Sequence, residues 1–218
     1  MKNSVMKVLY LLLVFSLPIY LCNGQIFISG KKFDYNVHYF QSDKKITVNE
    51  SLKFSISGQN WKQDMSQKEA IWEYATKKKT KEIFRDQFSL GWITIDTTGV
   101  IENDQKIWIH PPRHNQYTMN EIAPFPDVRK KYKVGDSYQS ILFIGNGFGI
   151  WSGKKCKNIY NIISIDQERT DTIWTINSKS EIDGKTNMLV FKFSSERGFI
   201  SFDYSFFNGD KETLILKE

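Results

Sequence analysis

The strongest constraint on this chain is an apolar alternation with a period of two. Phe33, Tyr35, Val37 and Tyr39 alternate with Asp34, Asn36 and His38. Ile46, Val48, Leu52, Phe54 and Ile56 share one face of the next run, interrupted by Glu50. Ile200, Phe202, Tyr204 and Phe206 repeat the pattern against Ser201, Asp203 and Ser205. Successive side chains of a strand point to opposite faces, so this period specifies half-buried strands.

Turn residues punctuate the runs. Asp183-Gly184 and Asn208-Gly209 suit two-residue hairpins, because both central positions tolerate positive φ. Arg197-Gly198 lies between them. Residues 173–178, 187–193, 199–206 and 211–216 therefore read as an antiparallel meander. Residues 92–96, 106–109, 138–144 and 156–165 read as further strands. Residues 66–79 admit two readings. Ser66 and Glu69 fit a helix capping box, whereas Trp72, Tyr74 and Thr76 alternate and favour a strand, as their surroundings do. The expectation is an all-β fold with little helix: a single curved antiparallel meander sheet, as a half-barrel or open barrel.

Composition agrees with a packed domain. The chain holds 16 Phe, 10 Tyr and 6 Trp, with 25% charged residues and a net charge of +6. A disordered chain would be poorer in aromatic residues. Two cysteines cannot build a disulfide scaffold or a four-ligand zinc site.

Lys2 and Lys7 precede or flank an apolar stretch at residues 8–21, followed by Cys22-Asn23-Gly24. The stretch has the length of a signal-peptide core and falls short of the roughly 20 residues of a membrane-spanning helix. Residues 1–24 are therefore expected to be a signal peptide, with residues 25–218 a single antiparallel β domain. An uncleaved anchor, or lipidation at Cys22, are the alternatives. The mature chain is expected in the periplasm or outside the cell, without a transmembrane segment. Lysines cluster at Lys77–Lys79, at Lys130-Lys131 and at Lys154-Lys155, where solvated loops are the ordinary explanation. No nucleic-acid partner is expected, although a polyanionic envelope lipid or glycan is compatible with them.

Two features bear on function. Residues 110–136, with Pro111, Pro112, Pro124 and Pro126, are long for a connection without a clear element. The runs Ile141-Leu142-Phe143-Ile144 and Met188-Leu189-Val190-Phe191 are apolar at every position, which implies burial on both faces. A second sheet, the proline-rich loop or a bound apolar ligand would have to cover the second face.

Motifs for chemistry largely fail on spacing. Gly145, Gly147 and Gly149 lack the third glycine and helix of a dinucleotide loop, and fit a bend between strands. Pro111 and Pro112 break the helix that His110 and His114 would need to pair as metal ligands. Cys156 lies between Lys155 and Lys157, which would favour a thiolate, but it also opens an apolar strand where a buried inert thiol is the simpler reading. No nucleophile turn, paired carboxylate motif or calcium loop is complete. No catalytic residue, metal ligand or cofactor is assigned.

The Trp-Ile-His-Pro-Pro-Arg run of residues 108–113, Pro124-Phe125-Pro126, Gly135 with the strand and glycine bend of residues 138–149, and Gly198-Phe199 leading to Asn208-Gly209 carry a resemblance. Over residues 106–218 the chain resembles a family of uncharacterised exported β-proteins of the Bacteroidota. It is similar in topology to the curved half-barrels that carry lipoproteins or bind lipids in the cell envelope. The resemblance implies a concave apolar face.

Two functions follow as expectations. The first is an envelope protein that binds a lipid or acyl chain in that concave face, lined by Trp92, Trp108, Phe143, Phe148 and Trp151. The alternative is a non-enzymatic interaction or structural protein contacting a protein or glycan partner. The first requires an open concavity.

Overall fold

The computed structural model describes residues 25–84 and 91–218, so the signal peptide expected at residues 1–24 lies outside the described residues. The strands are β1 (Lys32–Gln41), β2 (Ile46–Trp61), β3 (Asp64–Tyr74), β4 (Ile95–Glu102), β5 (Lys106–Ile109) and β6 (Asp127–Arg129). They continue as β7 (Ser137–Phe143), β8 (Lys155–Glu168), β9 (Asp171–Ile182), β10 (Lys185–Ser194), β11 (Gly198–Ser205) and β12 (Lys211–Leu216). A six-residue helix, α1 (Lys78–Ile83), follows β3. Among the described residues no helix is long and apolar enough to cross a membrane.

All twelve strands join one sheet in the order β6-β5-β4-β3-β2-β1-β12-β11-β10-β9-β8-β7. Two antiparallel meanders thus meet where β1 pairs with β12, with Tyr35 opposite Leu216 and Phe40 opposite Lys211. The sheet curls into a half-barrel. Its edge strands approach each other: the Tyr138 hydroxyl of β7 donates to the Asp127 carbonyl of β6, and the Arg129 guanidinium lies 5.6 Å from the Tyr138 ring centre.

The alternation read from sequence sets the inner face. Phe33, Tyr35, Val37 and Tyr39 of β1 are buried, as are Leu52, Phe54 and Ile56 of β2. Trp72 of β3 is wholly buried and packs on Phe54, ring centres 4.6 Å apart and tilted by 37°. Its indole N–H donates to Thr98 Oγ1 at 3.1 Å and to the His110 carbonyl at 3.2 Å, so its polar atom is satisfied inside the core. Burying a side chain of this size contributes roughly 1.5–3 kcal/mol.

Both ends of the curl are covered. At one, Phe27 packs against Phe33, Phe54 and Phe199, while the Ile26 and Phe27 amides donate to the Glu102 carboxylate at 2.8 and 2.7 Å. Gly198, at φ +85°, permits this approach: a Cβ there would stand 2.9 Å from Ile26 Cγ2. At the other end Phe84, after α1, meets Tyr39 edge to face.

Several sequence expectations need correction. The segment at 66–79 is divided: β3 runs to Tyr74 and α1 begins at Lys78. β4 starts at Ile95, so Trp92 precedes it. Residues 110–136 contain a 3-10 helix (Asn115–Ile122) and β6. The runs that are apolar at every position are not buried on both faces. Ile141 and Phe143 are each 68% exposed on β7, and Val190 is 37% exposed on β10. One set of their side chains enters the core, and the other meets solvent on the outside of the sheet.

Candidate functional site

The concave face carries protein. Pro111, Pro112, Asn115, Gln116, Tyr117 and the whole of residues 120–126 are buried, and the segment runs inside the curled sheet. Proline suits it, because a segment outside the ladder has no use for a donor at every position. Its carbonyls are met by the inner faces of the strands. Ser180 Oγ and Asn187 Nδ2 donate to the Ile122 carbonyl at 2.8 and 2.9 Å. The Tyr160 hydroxyl donates to the Phe125 carbonyl at 2.9 Å. Between Trp72, Ile109, Pro111, Phe202, Tyr204 and Leu214 the remaining gap does not admit a water molecule. Of the three covers open to the sequence reading, the proline-rich segment occupies this part of the concave face. Among the described residues, the gap it leaves beside Trp72 and Tyr204 has no room for an acyl chain.

The interior also holds acids. Glu212 is wholly buried and accepts from Asn120 Nδ2 at 3.1 Å; burial pushes its carboxyl up to about 8. Burial raises Glu121 to about 7, with nearby Arg113 opposing. Its Oε2 lies 3.4 Å from His110 Nε2, whose imidazole burial pulls down to about 3, so both partners favour their neutral forms. His114 and Arg113 instead face Asp96, at 3.4 and 3.2 Å. Cys156 is wholly buried and its thiol is pushed up to about 11 by burial, which disfavours the thiolate a nucleophile requires.

The five residues proposed as ligand liners do not share one concave face. Trp92 packs on the main core, with Lys81 Nζ 6.0 Å from its ring centre. Trp108 is half-buried on β5, edge-on to His110 and 5.8 Å from Phe125. Phe143, Phe148 and Trp151 do gather, at the β7–β8 hairpin. Phe143 pairs with Lys155 across the hairpin, while Phe148 and Trp151 pack on the buried cluster of Ile122, Ile144, Cys156 and Ile182.

That hairpin belongs to a continuous rim. The turns β7–β8, β9–β10, β11–β12 and β1–β2 all lie at one end of the sheet, because antiparallel neighbours reverse at each turn. Side chains link them in order. Trp151 meets Phe207 at 6.0 Å. Lys185 Nζ lies 5.0 Å from the Trp151 ring centre and 4.2 Å from that of Phe207, and Lys154 Nζ lies 5.4 Å from Trp151. The Ser42 amide donates to Asp210 Oδ1 at 2.8 Å, and Lys44 Nζ donates to the carbonyl of Ile83, the last residue of α1. Ile150, in the 3-10 turn Gly149–Trp151, is 70% exposed at the tip.

The sequence reading named Phe143, Phe148 and Trp151 as ligand liners and did not name Ile150, Ile141, Phe207 or Lys185 among them. The signal for Ile150 and Phe207 was available: each is a large apolar residue beside a glycine turn, where polar residues are usual.

No family model matches the chain, and no curated protein matches it. Among solved structures it is similar to a Bacteroides fragilis protein described as exported and as having a YmcC-like fold. The identity is 8% and the TM-score 0.41, over 87% of this chain and 94% of the other. This likeness assigns no role to any residue of this chain.

Proposed function

We propose that this is an exported, non-catalytic binding protein that attaches to a lipid surface through the rim bearing the β7–β8 hairpin. The observation that carries the reading is the exposure of Ile141, Phe143 and Ile150, at 68, 68 and 70%. Three large apolar side chains on one hairpin are unfavourable in water and favourable in an acyl layer. Inserting each is worth up to roughly 1.5–3 kcal/mol, enough together for reversible attachment. The amino-terminal apolar stretch supports export. An acyl chain within the sheet, the other place for a lipid, would first have to displace residues 110–126 and the hydrogen bonds that hold them.

Flotation of the purified protein with phospholipid vesicles tests the reading. The protein should rise with the vesicles, and Phe143→Ser with Ile150→Ser should weaken binding by at least about tenfold while leaving the fold intact, since both sites are exposed. A protein that stays in the soluble fraction with every vesicle composition would sink the reading. So would a double variant that floats as well as the wild type.

A further inference from the structure

Resting on that reading, we infer that the surface recognised is an anionic one, met end-on by a collar of lysines around the apolar tip. Lys154 and Lys155 flank the β7–β8 hairpin, Lys44 and Lys45 occupy the β1–β2 turn, and Lys78 and Lys79 lie on α1. These positions are remote in sequence, and the contacts linking Trp151, Lys185, Phe207, Ser42 and Lys44 bring them to one end of the molecule.

The acids at this end do not cancel the collar. Among the described residues, Glu82 is 4.0 Å from Lys78, Asp183 pairs with Lys154 and Glu181 with Lys179. Asp43 accepts from the Lys44 amide. Lys45, Lys79 and Lys155 are exposed, and among the described residues no carboxylate lies within salt-bridge distance of them. The opposite end also carries lysines: Lys31, Lys62, Lys130, Lys131, Lys133 and Arg169 stand there with Asp64, Asp104, Asp136 and Glu168, but no exposed apolar hairpin tip like Ile150 accompanies them in the β4–β5 turn at Asn103–Gln105.

The arrangement matches a lipid interface in depth as well as in charge. A lysine can lay its methylene stem along an apolar surface and keep its ammonium at the headgroups, and tryptophan favours the same level. The ammonium nitrogens of Lys154 and Lys185 lie over the Trp151 ring, on the hairpin that exposes Ile150 and Phe143. An anionic glycan would use the lysines but would gain nothing from exposed isoleucines. Moreover, the Trp151 ring on which a sugar would stack is already engaged by two ammonium groups.

The test compares vesicles of phosphatidylcholine alone with vesicles that also contain phosphatidylglycerol, with heparin as a soluble polyanion. Binding should be at least about tenfold tighter to the anionic vesicles and should weaken as salt is raised. Lys79→Glu combined with Lys155→Glu should abolish that preference and leave the weak binding to neutral vesicles unchanged. Equal affinity for the two vesicles would overturn the inference while leaving apolar docking in place. Binding to heparin with no binding to either vesicle would overturn both.

Discussion

The Asn120 side-chain amide donates to Glu212 Oε1 at 3.1 Å, joining two wholly buried residues 92 positions apart. The bond ties the segment inside the half-barrel to β12. The same amide also donates to the Pro112 carbonyl at 3.1 Å. Asn120→Ala should therefore destabilise the protein by about 2 kcal/mol or more, because two buried acceptors lose their donor and find no water. Urea unfolding measures it. A loss below about 0.5 kcal/mol would mean that the segment is not anchored there.

Glu212 should make stability depend on pH. Its folded value, about 8, lies above the ordinary 4.5, so the folded state keeps a proton that the unfolded chain has released. Its contribution is fully present below pH 4.5 and is lost as pH rises through about 8. Glu121, at about 7, acts in the same direction. His110, at about 3, acts oppositely, since the unfolded imidazole gains a proton below 6.5 and stability falls on that side. From pH 6.5 to 8 the wild type should lose stability, with a slope approaching about 1.4 kcal/mol per pH unit from Glu212. Glu212→Gln should flatten the curve over this window. Parallel curves for the two proteins would show that Glu212 is ionised in the fold.

Cys156 should be inert in the native protein. Its side chain is directed inward, with Sγ 3.5 Å from the Ile122 carbonyl, whereas Lys155 and Lys157 alternate to the exposed face of β8. The cations that flank it in sequence thus cannot activate it. A thiol reagent should modify the native protein only as fast as the structure opens, and modify the urea-unfolded chain at once. Rapid modification under native conditions would remove the buried assignment.

Much of the sheet was legible because alternation and turn chemistry are local. Phe33 to Tyr39 and Phe202 to Phe206 point inward as their spacing requires, and hairpins form at Asp183-Gly184 and Asn208-Gly209. The junction of the two meanders was not legible. It rests on pairs such as Tyr35 with Leu216, and on the Tyr35 hydroxyl donating to the Phe199 carbonyl 164 residues away. Nor could residues 110–126 be placed inside, since prolines and asparagines resemble a surface loop until their partners on β8, β9 and β10 are known. The exposure of Ile141 and Phe143 inverted the expectation most. A run that is apolar at every position shows that both faces are apolar, but not that both are covered.

Docking by the β7–β8 rim is most directly tested by an environment-sensitive dye on Ile150→Cys, with Asn103→Cys at the opposite end of the sheet as control. The native thiol of Cys156 is buried and should not compete for label. On addition of phosphatidylglycerol-containing vesicles, the dye at position 150 should brighten and shift to the blue as it enters the acyl layer, and the dye at position 103 should not respond. An unchanged signal at position 150, or equal changes at both positions, would contradict the account.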